Sequence, residues 1–355
     1  MIKDYILKTL KVIATVFLIL GAIYLVGPRV ETPEFSNEIP GVPDNLVKLQ
    51  KWINTKEILQ GNVRPGNASK IIFNDSIPQK TEYSVIYYHG FTASGMEGDP
   101  VHRDISNVLG ANLYIPRLFG HGLEEEESML NFNNDDFWKS GKEALEVAKK
   151  LGEKVIILGT SHGGSLALAL GDDPSIEAML LFGPNIAVFD PKAKLLSKPW
   201  GLQIGRLVKG GNYHEWEAND EKKKYWSTKT RLEAMTHMQK FLDVKMRRSV
   251  FKKVKVPVFL AYYYKNDNLQ DNVVSVPAML KMYDQLGTPD SLKLKQAFPE
   301  VGDHVLTSYI STQYYDVVTK ASLAFLSKIN KNKNHPPRFV PANSFFLYPI
   351  ALAGK

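Results

Sequence analysis

The 355-residue chain contains no cysteine. This absence excludes disulfide bonds, catalysis by a thiolate and attachment of a lipid to an N-terminal cysteine. A basic patch for nucleic acid is also missing from the body of the chain. Residues 1–11 carry a net charge of +2 and residues 328–355 a net charge of +5, which together account for the +7 of the whole chain. Residues 12–327 are therefore neutral overall, and since no nucleic-acid-binding module is visible we expect no nucleic acid partner.

An apolar stretch without charges follows the first lysines. Residues 12–28 are rich in valine, isoleucine, leucine and phenylalanine and contain no charged side chain. This length is at the short end of a membrane-spanning helix, and the preceding lysines predict an N-terminus that stays in the cytoplasm. We interpret the stretch as a signal anchor that places the rest of the chain on the extracytoplasmic side, which is the periplasm if the source is a Gram-negative bacterium. A cleaved signal peptide, although small residues at a cleavage site are missing, and a buried core helix are the alternatives.

Short apolar runs alternate with helical periodicity from about residue 70 onward. This alternation is typical of βαβ units and predicts an α/β fold with a mostly parallel sheet flanked by helices. Strands are predicted over residues 71–73, 83–88, 112–115, 154–158, 177–182, 256–263 and 292–297. The clearest helices are predicted over residues 135–151, 162–170, 275–286 and 312–328.

Six parts are predicted along the chain. They are the anchor with the start of a linker (1–32), the linker and lead-in (33–69), the first part of the core (70–184), a helical cap (185–254), the second part of the core (255–329) and a C-terminal tail (330–355). The cap is predicted because a loop this long between two strands must have structure of its own. Its aromatic and methionine side chains indicate an apolar underside above the sheet.

Ser161 lies in the pattern Gly159-Thr160-Ser161-His162-Gly163, between a predicted buried strand and a predicted helix. This is typical of a nucleophile elbow, a tight turn that presents a serine hydroxyl. The glycines have a mechanical reason, because neighbouring chain packs closely against such a turn. The following helix N-terminus faces developing negative charge. Ser161 is therefore the predicted nucleophile.

A serine nucleophile needs a base, and the base needs an acid that orients it. His304, in Gly302-Asp303-His304, follows the last predicted strand and precedes the final helix, so we predict that it is the general base. Two carboxylates after the preceding strand, Asp267 and Asp271, are candidates for the acid. Asp271 is preferred because Ser275 can cap the next helix and leave the carboxylate directed at His304. Asp267, which is nearer the end of the strand, stays the alternative.

The oxyanion donors are expected to be two backbone N–H groups. One is predicted from His162, the residue after the nucleophile, and the other from Phe91, in the loop after the second predicted strand. The side chains of His89, His121 and His162 are predicted to fix loops or line the pocket rather than to move protons. No metal site or cofactor motif is visible, so neither a metal nor a cofactor is expected.

Four segments together resemble the α/β-hydrolase superfamily, and within it the carboxylesterase and monoacylglycerol lipase group. They are His89-Gly90-Phe91-Thr92, Arg117-Leu118-Phe119-Gly120-His121-Gly122, Gly159-Thr160-Ser161-His162-Gly163-Gly164 and Gly302-Asp303-His304. The resemblance covers about residues 70–328. It implies a triad of Ser161, Asp271 and His304, with oxyanion donors at Phe91 and His162.

The resemblance also implies a serine hydrolase that cleaves a small-molecule acyl ester through an acyl-enzyme. A peptidase, a thioesterase or an acyltransferase would use the same triad, because all of these reactions pass through a tetrahedral intermediate. A non-catalytic binding protein on the same scaffold is the remaining alternative.

Overall fold

The computed structural model describes residues 2–331 of the chain. The strands within them are β1 (Lys70–Ile72), β2 (Thr81–Tyr88), β3 (Asn112–Ile115), β4 (Gly152–Thr160), β5 (Ile176–Phe182), β6 (Tyr213–Glu215), β7 (Lys229–Arg231), β8 (Val258–Tyr262), β9 (Tyr264–Asn266), β10 (Leu269–Gln270) and β11 (Lys293–Ala297). The helices are α1 (Ile2–Leu25), α2 (Leu46–Gln60), α3 (Val101–Leu109), α4 (Asn134–Leu151), α5 (His162–Ala169), α6 (Gly201–Lys209), α7 (Asp220–Tyr225), α8 (Leu232–Lys245), α9 (Arg248–Phe251), α10 (Val276–Gln285) and α11 (Tyr315–Lys331).

A seven-stranded sheet forms the centre of the fold, in the order β1-β3-β2-β4-β5-β8-β11. Strand β1 is antiparallel to β3, and the other neighbours are parallel. The predicted α/β architecture with a mostly parallel sheet is therefore confirmed. Each predicted strand overlaps one strand of this sheet, and each of the four clearest predicted helices overlaps an observed helix.

Strand β4 is buried on both faces of the sheet. Val155 and Ile157 pack into the core on one face, and Ile156 and Leu158 pack into the core on the other. A strand that is buried on both sides appears in the sequence as a continuous apolar run rather than as an alternating one. The parallel strands end at the same edge of the sheet, where Tyr88, Thr160 and Phe182 close β2, β4 and β5.

The insertion at residues 185–254, predicted as a helical cap, contains α6, α7, α8 and α9. It also contains an antiparallel hairpin of β6 and β7, which the sequence analysis did not predict. Helix α8 buries Phe241 in the core, and its Met238 is buried as well. The insertion therefore has one helix embedded in the core as well as outer elements above the sheet.

Helix α1 has no buried residue. Among the described residues it is long and apolar enough to cross a membrane, by length and composition. Its C-terminal end meets the insertion at Trp200. The indole Nε1 of Trp200 donates to the carbonyl of Ile23 at 3.1 Å, and its backbone N–H donates to the carbonyl of Pro28 at 2.8 Å.

The segment predicted as a linker and lead-in contains α2 and packs on the body through Phe35. This side chain is 8% exposed and lies edge-on to Trp138 and Phe241, with ring centroids 5.6 Å away in both cases. Its backbone N–H donates to Asp135, and the indole of Trp138 donates to the carbonyl of Ser36. The chain after α1 is thus held on the core. Of the predicted tail, residues 332–355 lie outside the described part of the chain.

Candidate active site

Ser161 occupies the turn between β4 and α5 with a φ angle of +53°. Such a value is rare for a residue with a side chain and marks a strained backbone. Hydrogen bonds hold the strained turn: the Ser161 N–H donates to the carbonyl of Phe182 at 3.0 Å, and the Ser161 carbonyl accepts from the N–H of Asn185 at 2.9 Å. The side chain lies at the edge of the sheet where the parallel strands end.

The glycines around this turn are there because no side chain would fit. A Cβ on Gly163 would lie 2.1 Å from the carbonyl oxygen of Tyr88, and a Cβ on Gly159 would lie 2.9 Å from the carbonyl oxygen of Gly163. These are contacts with backbone, which cannot move aside as a flexible side chain can. The close packing expected from the glycine pattern is therefore present in the fold.

His304 and Asp271 are in direct contact. The Nδ1 atom of His304 lies 2.6 Å from the Oδ2 atom of Asp271. The other carboxylate oxygen of Asp271 accepts from the N–H groups of Val273 and Val274, at 2.9 and 3.0 Å. Because both oxygens are used, the carboxylate is fixed and Nδ1 of His304 carries the proton. Ser275 caps α10, as the sequence predicts.

Asp267, the alternative acid, lies on the β9–β10 hairpin. It is exposed and accepts a hydrogen bond from the hydroxyl of Tyr264 at 2.9 Å. Asp271 is 1% exposed. Of the two candidate carboxylates, the structure brings only Asp271 to His304.

The pKa of His304 differs in direction from the pKa of the other described histidines. Burial lowers it, but the charge and hydrogen bond of Asp271 outweigh burial and raise it above its ordinary value. Burial lowers the pKa of His89 to about 4 and that of His162 to about 3. Those two rings are therefore neutral near pH 7, whereas His304 is stabilised in its protonated form.

The Nε2 atom of His304 is buried and has no hydrogen-bond partner within residues 2–331. The Ser161 hydroxyl is consequently not hydrogen-bonded to it in this structure. Catalytic hydrogen bonds of this kind are often long in an unliganded enzyme and tighten when substrate binds. The ring is therefore held from its Nδ1 side, with Nε2 available to another group.

The two predicted oxyanion residues lie beside the nucleophile and next to each other. His162 begins α5, where backbone N–H groups have no partner inside the helix. Phe91 lies in the loop after β2, and its ring is edge-on to that of His162 with centroids 5.9 Å apart. The ring of His162 also stacks on Phe137, with centroids 4.9 Å apart. Both residues are thus fixed by aromatic packing.

His89 and His121 hold loops together. Nε2 of His89 accepts from the N–H of Leu118 at 3.1 Å, so Nδ1 carries the proton and donates to the carbonyl of Gly90 at 3.0 Å. The ring of His121 lies 4.9 Å from that of His89 and 5.8 Å from that of Phe91, between centroids. These contacts connect the loop after β2 with the loop after β3.

Glu97 is a residue near the nucleophile that the sequence analysis missed. It lies in a 3₁₀ turn, Gly95–Gly98, and is 2% exposed. Its carboxylate accepts from the N–H of Gly90 and from the hydroxyl of Tyr87. Burial raises the pKa of this carboxyl to about 7. An isolated glutamate in an irregular loop has no periodicity or spacing that could have identified it.

The insertion reaches the loop that carries His304. Trp226 packs with Ala93 and Val305, and the ammonium group of Lys222 lies 3.5 Å from the carboxylate of Asp303. These contacts bring the insertion next to His304 and to the loop after β2. Ser161 is 7% exposed. No group of three or more His, Asp or Glu side chains within residues 2–331 could hold a metal ion.

No family model and no curated protein matches the chain. Solved structures do. A structure described with LipS and LipT, two metagenome-derived lipolytic enzymes, has a TM-score of 0.59 at 18% identity and covers 75% of this chain and 99% of that chain. A monoacylglycerol lipase of Paleococcus ferrophilus has a TM-score of 0.52 at 13% identity, and the match covers 73% of this chain and 97% of that chain. A putative non-heme bromoperoxidase, BpoC of Mycobacterium tuberculosis, has a TM-score of 0.51 at 12% identity, and the match covers 76% of this chain and 98% of that chain.

Proposed function

We propose that this chain, which has the α/β-hydrolase fold, is a serine hydrolase that cleaves carboxylic esters through an acyl-enzyme. The contact of 2.6 Å between Nδ1 of His304 and the fixed carboxylate of Asp271 carries the proposal. It supplies an oriented base at the sheet edge where Ser161 occupies a strained turn. Ser161 is the proposed nucleophile, His304 the general base and Asp271 the orienting acid.

In the proposed acylation, Oγ of Ser161 gives its proton to Nε2 of His304 and forms a bond to the ester carbonyl carbon. The electron pair of the C=O π bond moves to the oxygen and makes a tetrahedral oxyanion. When this intermediate collapses, the bond to the alcohol oxygen breaks and that oxygen takes the proton from His304. Water then repeats the sequence on the acyl-enzyme, which releases the acid and restores the serine hydroxyl.

Two backbone N–H groups, those of Phe91 and His162, are the proposed donors to the oxyanion. They are supported by their positions, one in the loop after β2 and one in the first turn of α5. Donors fixed before the reaction stabilise charge that develops in the transition state and need no reorganisation at that moment. The carboxylate of Asp271 is likewise fixed in advance and would stabilise the positive charge that develops on His304.

The proposed substrate is a small-molecule acyl ester whose acyl chain lies beneath the cap. The ring of Phe91, which lies beside that of His162 and is partly exposed, gives an apolar surface for such a chain. The names of the lipolytic and monoacylglycerol lipase structures are consistent with this class. The BpoC structure is named for a different reaction, and because one fold can carry many chemistries the substrate class is proposed from the site and not from the fold.

Helix α1 is proposed to anchor the protein in a membrane, with the catalytic domain on the extracytoplasmic side. Its composition, its lack of buried residues and the lysines near its start support this arrangement. The division into an anchor, a linker, two core segments, a cap at 185–254 and a tail is retained as the proposed domain organisation.

Hydrolysis of p-nitrophenyl esters from acetate to palmitate, with Ser161→Ala beside the wild type, tests the proposed function. We expect turnover with an optimum at one chain length and loss of this turnover in the variant. Labelling of Ser161 by a serine-directed phosphonate is the companion measurement. No turnover of any ester by folded, labelled protein would favour a peptidase, a thioesterase or an acyltransferase, and no labelling would favour a binding protein.

A further inference from the structure

We propose that Glu97 is a positioning residue that holds the loop after β2, and with it the oxyanion donor Phe91, against the nucleophile turn. The inference rests on the proposed function, because it assigns a role within the same site. Glu97 does not contact the reacting atoms in this proposal. It acts through Gly90, which immediately precedes Phe91 in the chain.

The carboxylate of Glu97 lies between the loop and the nucleophile. Its Oε2 atom accepts from the N–H of Gly90. A Cβ placed on Gly90 would lie 2.7 Å from Oε1 of Glu97 and 3.0 Å from Cβ of Ser161. The loop backbone, the carboxylate and the nucleophile therefore meet at one point, and only a glycine leaves room for them.

The same carboxylate is connected to the strand that carries the nucleophile. The hydroxyl of Tyr87 lies 3.1 Å from Oε2 of Glu97 and 2.9 Å from Oγ1 of Thr160, the residue before Ser161. A continuous set of hydrogen bonds thus runs from Gly90 through Glu97 and Tyr87 to Thr160. Buried networks of this kind fix geometry when each member is satisfied.

The backbone of Glu97 is also bonded to the segment that follows the general base, His304. Its carbonyl oxygen accepts from Oγ1 of Thr307 at 2.7 Å, three residues after His304. Glu97 is consequently bonded to Gly90 and Thr307, and it is linked to Thr160 through Tyr87. The bonds to Gly90 and Tyr87 come from the side chain, so these are the two that an alanine at this position would lose.

The ionisable groups that face Glu97 are Tyr87 from β2, His304 from its loop and Lys222 from α7. Burial favours the neutral carboxyl, while the N–H of Gly90 and these groups favour the ionised one. Either form can accept from Gly90, because a carboxylic acid keeps a carbonyl oxygen. The carbonyl oxygen of a glutamine can accept in the same way, so the proposed role depends on the acceptor and not on the charge.

The test compares Glu97→Ala, which removes the acceptor, with Glu97→Gln, which keeps it. We expect Glu97→Ala to lower kcat by on the order of 100-fold, as loss of one oxyanion donor does. KM should change by less than about threefold, since ground-state binding gains little from the oxyanion site. The inhibition constant of an alkyl trifluoromethyl ketone, which forms a tetrahedral adduct, should rise in parallel with the loss of kcat. Glu97→Gln should stay within about tenfold of the wild type.

Asp173→Ala is the matched control. Asp173 is a carboxylate that accepts from Lys149 and Ser175, and it precedes β5 at the opposite end of the sheet. Its loss should lower the thermal unfolding midpoint and leave the ratio of ketone affinity to substrate affinity unchanged. If Glu97→Ala does not fold, Glu97→Asp replaces it, because the shorter side chain withdraws the acceptor from Gly90.

An unchanged kcat in Glu97→Ala would overturn the inference, and so would an equal loss of kcat in Glu97→Ala and Glu97→Gln. A rise in KM alone would also overturn it. These outcomes are separate from failure of the proposed function. That failure would appear as absence of wild-type ester turnover, or as turnover that persists in Ser161→Ala.

Discussion

The ring of Phe241 in α8 lies edge-on to the ring of His162, with centroids 4.9 Å apart. A helix of the insertion therefore packs on the residue that directly follows the nucleophile. Phe241 also contacts Phe35 from the segment after α1, so one buried side chain joins the N-terminal segment, the insertion and the nucleophile turn. Movement of α8 would therefore disturb all three.

The strained turn at Ser161 predicts a difference in stability between two inactive variants. Ser161→Ala and Ser161→Gly should both lose kcat by on the order of a million-fold, because each lacks the nucleophile. Glycine adopts the positive φ of this turn without strain, so Ser161→Gly should be about 1 kcal/mol more stable to unfolding than Ser161→Ala. Urea denaturation checks this, and equal midpoints would show that the turn stores no strain.

The contact of His304 with Asp271 predicts a pH dependence. Only the neutral imidazole can accept the serine proton, so kcat/KM should rise with pH, with a midpoint above the ordinary value of 6.5. Asp271→Asn should move the pKa of His304 downward and lower kcat by about 10⁴-fold. NMR titration of His304 measures the first effect, and an unchanged titration would contradict it.

The same pKa makes a contribution to folding stability with a definite sign. Because the folded protein holds the His304 proton more tightly than the unfolded chain does, this contribution is fully present below the unfolded pKa of 6.5 and is lost as pH rises through the raised folded pKa. In Asp271→Asn this contribution should be absent, so the difference in free energy of unfolding between the wild type and the variant should decrease as pH rises through the raised pKa of His304. Asp267→Asn, at the exposed hairpin carboxylate, is the control and should follow the wild type.

Gly163 should tolerate no side chain. In Gly163→Ala the added methyl group would lie 2.1 Å from the carbonyl oxygen of Tyr88, so β2 and α5 must separate. We expect the free energy of unfolding to fall by about 1–3 kcal/mol. Gly211→Ala is the matched control, since nothing lies within 4 Å of the added group there. Similar stability of the two variants would contradict the packing described for the turn.

Phe35 should contribute to stability although it lies outside the hydrolase core in sequence. Its ring is buried between Trp138 and Phe241, so Phe35→Ala should cost about 3–5 kcal/mol in the free energy of unfolding. Ile39→Ala, four residues later and 68% exposed, should change it by less than about 0.5 kcal/mol. Denaturation of the full chain in detergent measures both. A small effect at Phe35 would mean that the segment is not held on the core.

Local patterns in the sequence were sufficient for the sheet and for much of the candidate site. Ser161 and His304 each lie in a short glycine-containing motif at the end of a predicted strand, and the ends of parallel strands meet at one edge. From the sequence, Asp271 is preferred over Asp267 because Ser275 can cap the next helix, and in the structure Asp271 is the carboxylate that contacts His304. Strands β9 and β10 form a hairpin that turns Asp267 into solvent.

Other features depended on contacts that no local pattern records. Glu97 meets Gly90 across an irregular turn, and the partners of its network come from β2, β4 and the loop of His304. Phe35 is a single aromatic residue in a proline-containing segment, which by composition is typical of a linker. The hairpin of β6 and β7 has strands of only three residues, too short for alternation to appear.

The hydrogen bonds of Trp200 to Ile23 and Pro28, together with the burial of Phe35, have a consequence for how the molecule meets a lipid surface. With α1 across a bilayer, the folded body would be held in one orientation relative to this helix instead of being joined to it by a flexible linker. The contacts between α1 and the body would then determine how far the body lies from the lipid surface and how it is tilted. Each molecule would then turn the same side toward the membrane. An ester that leaves the membrane would therefore reach the site from a constant direction.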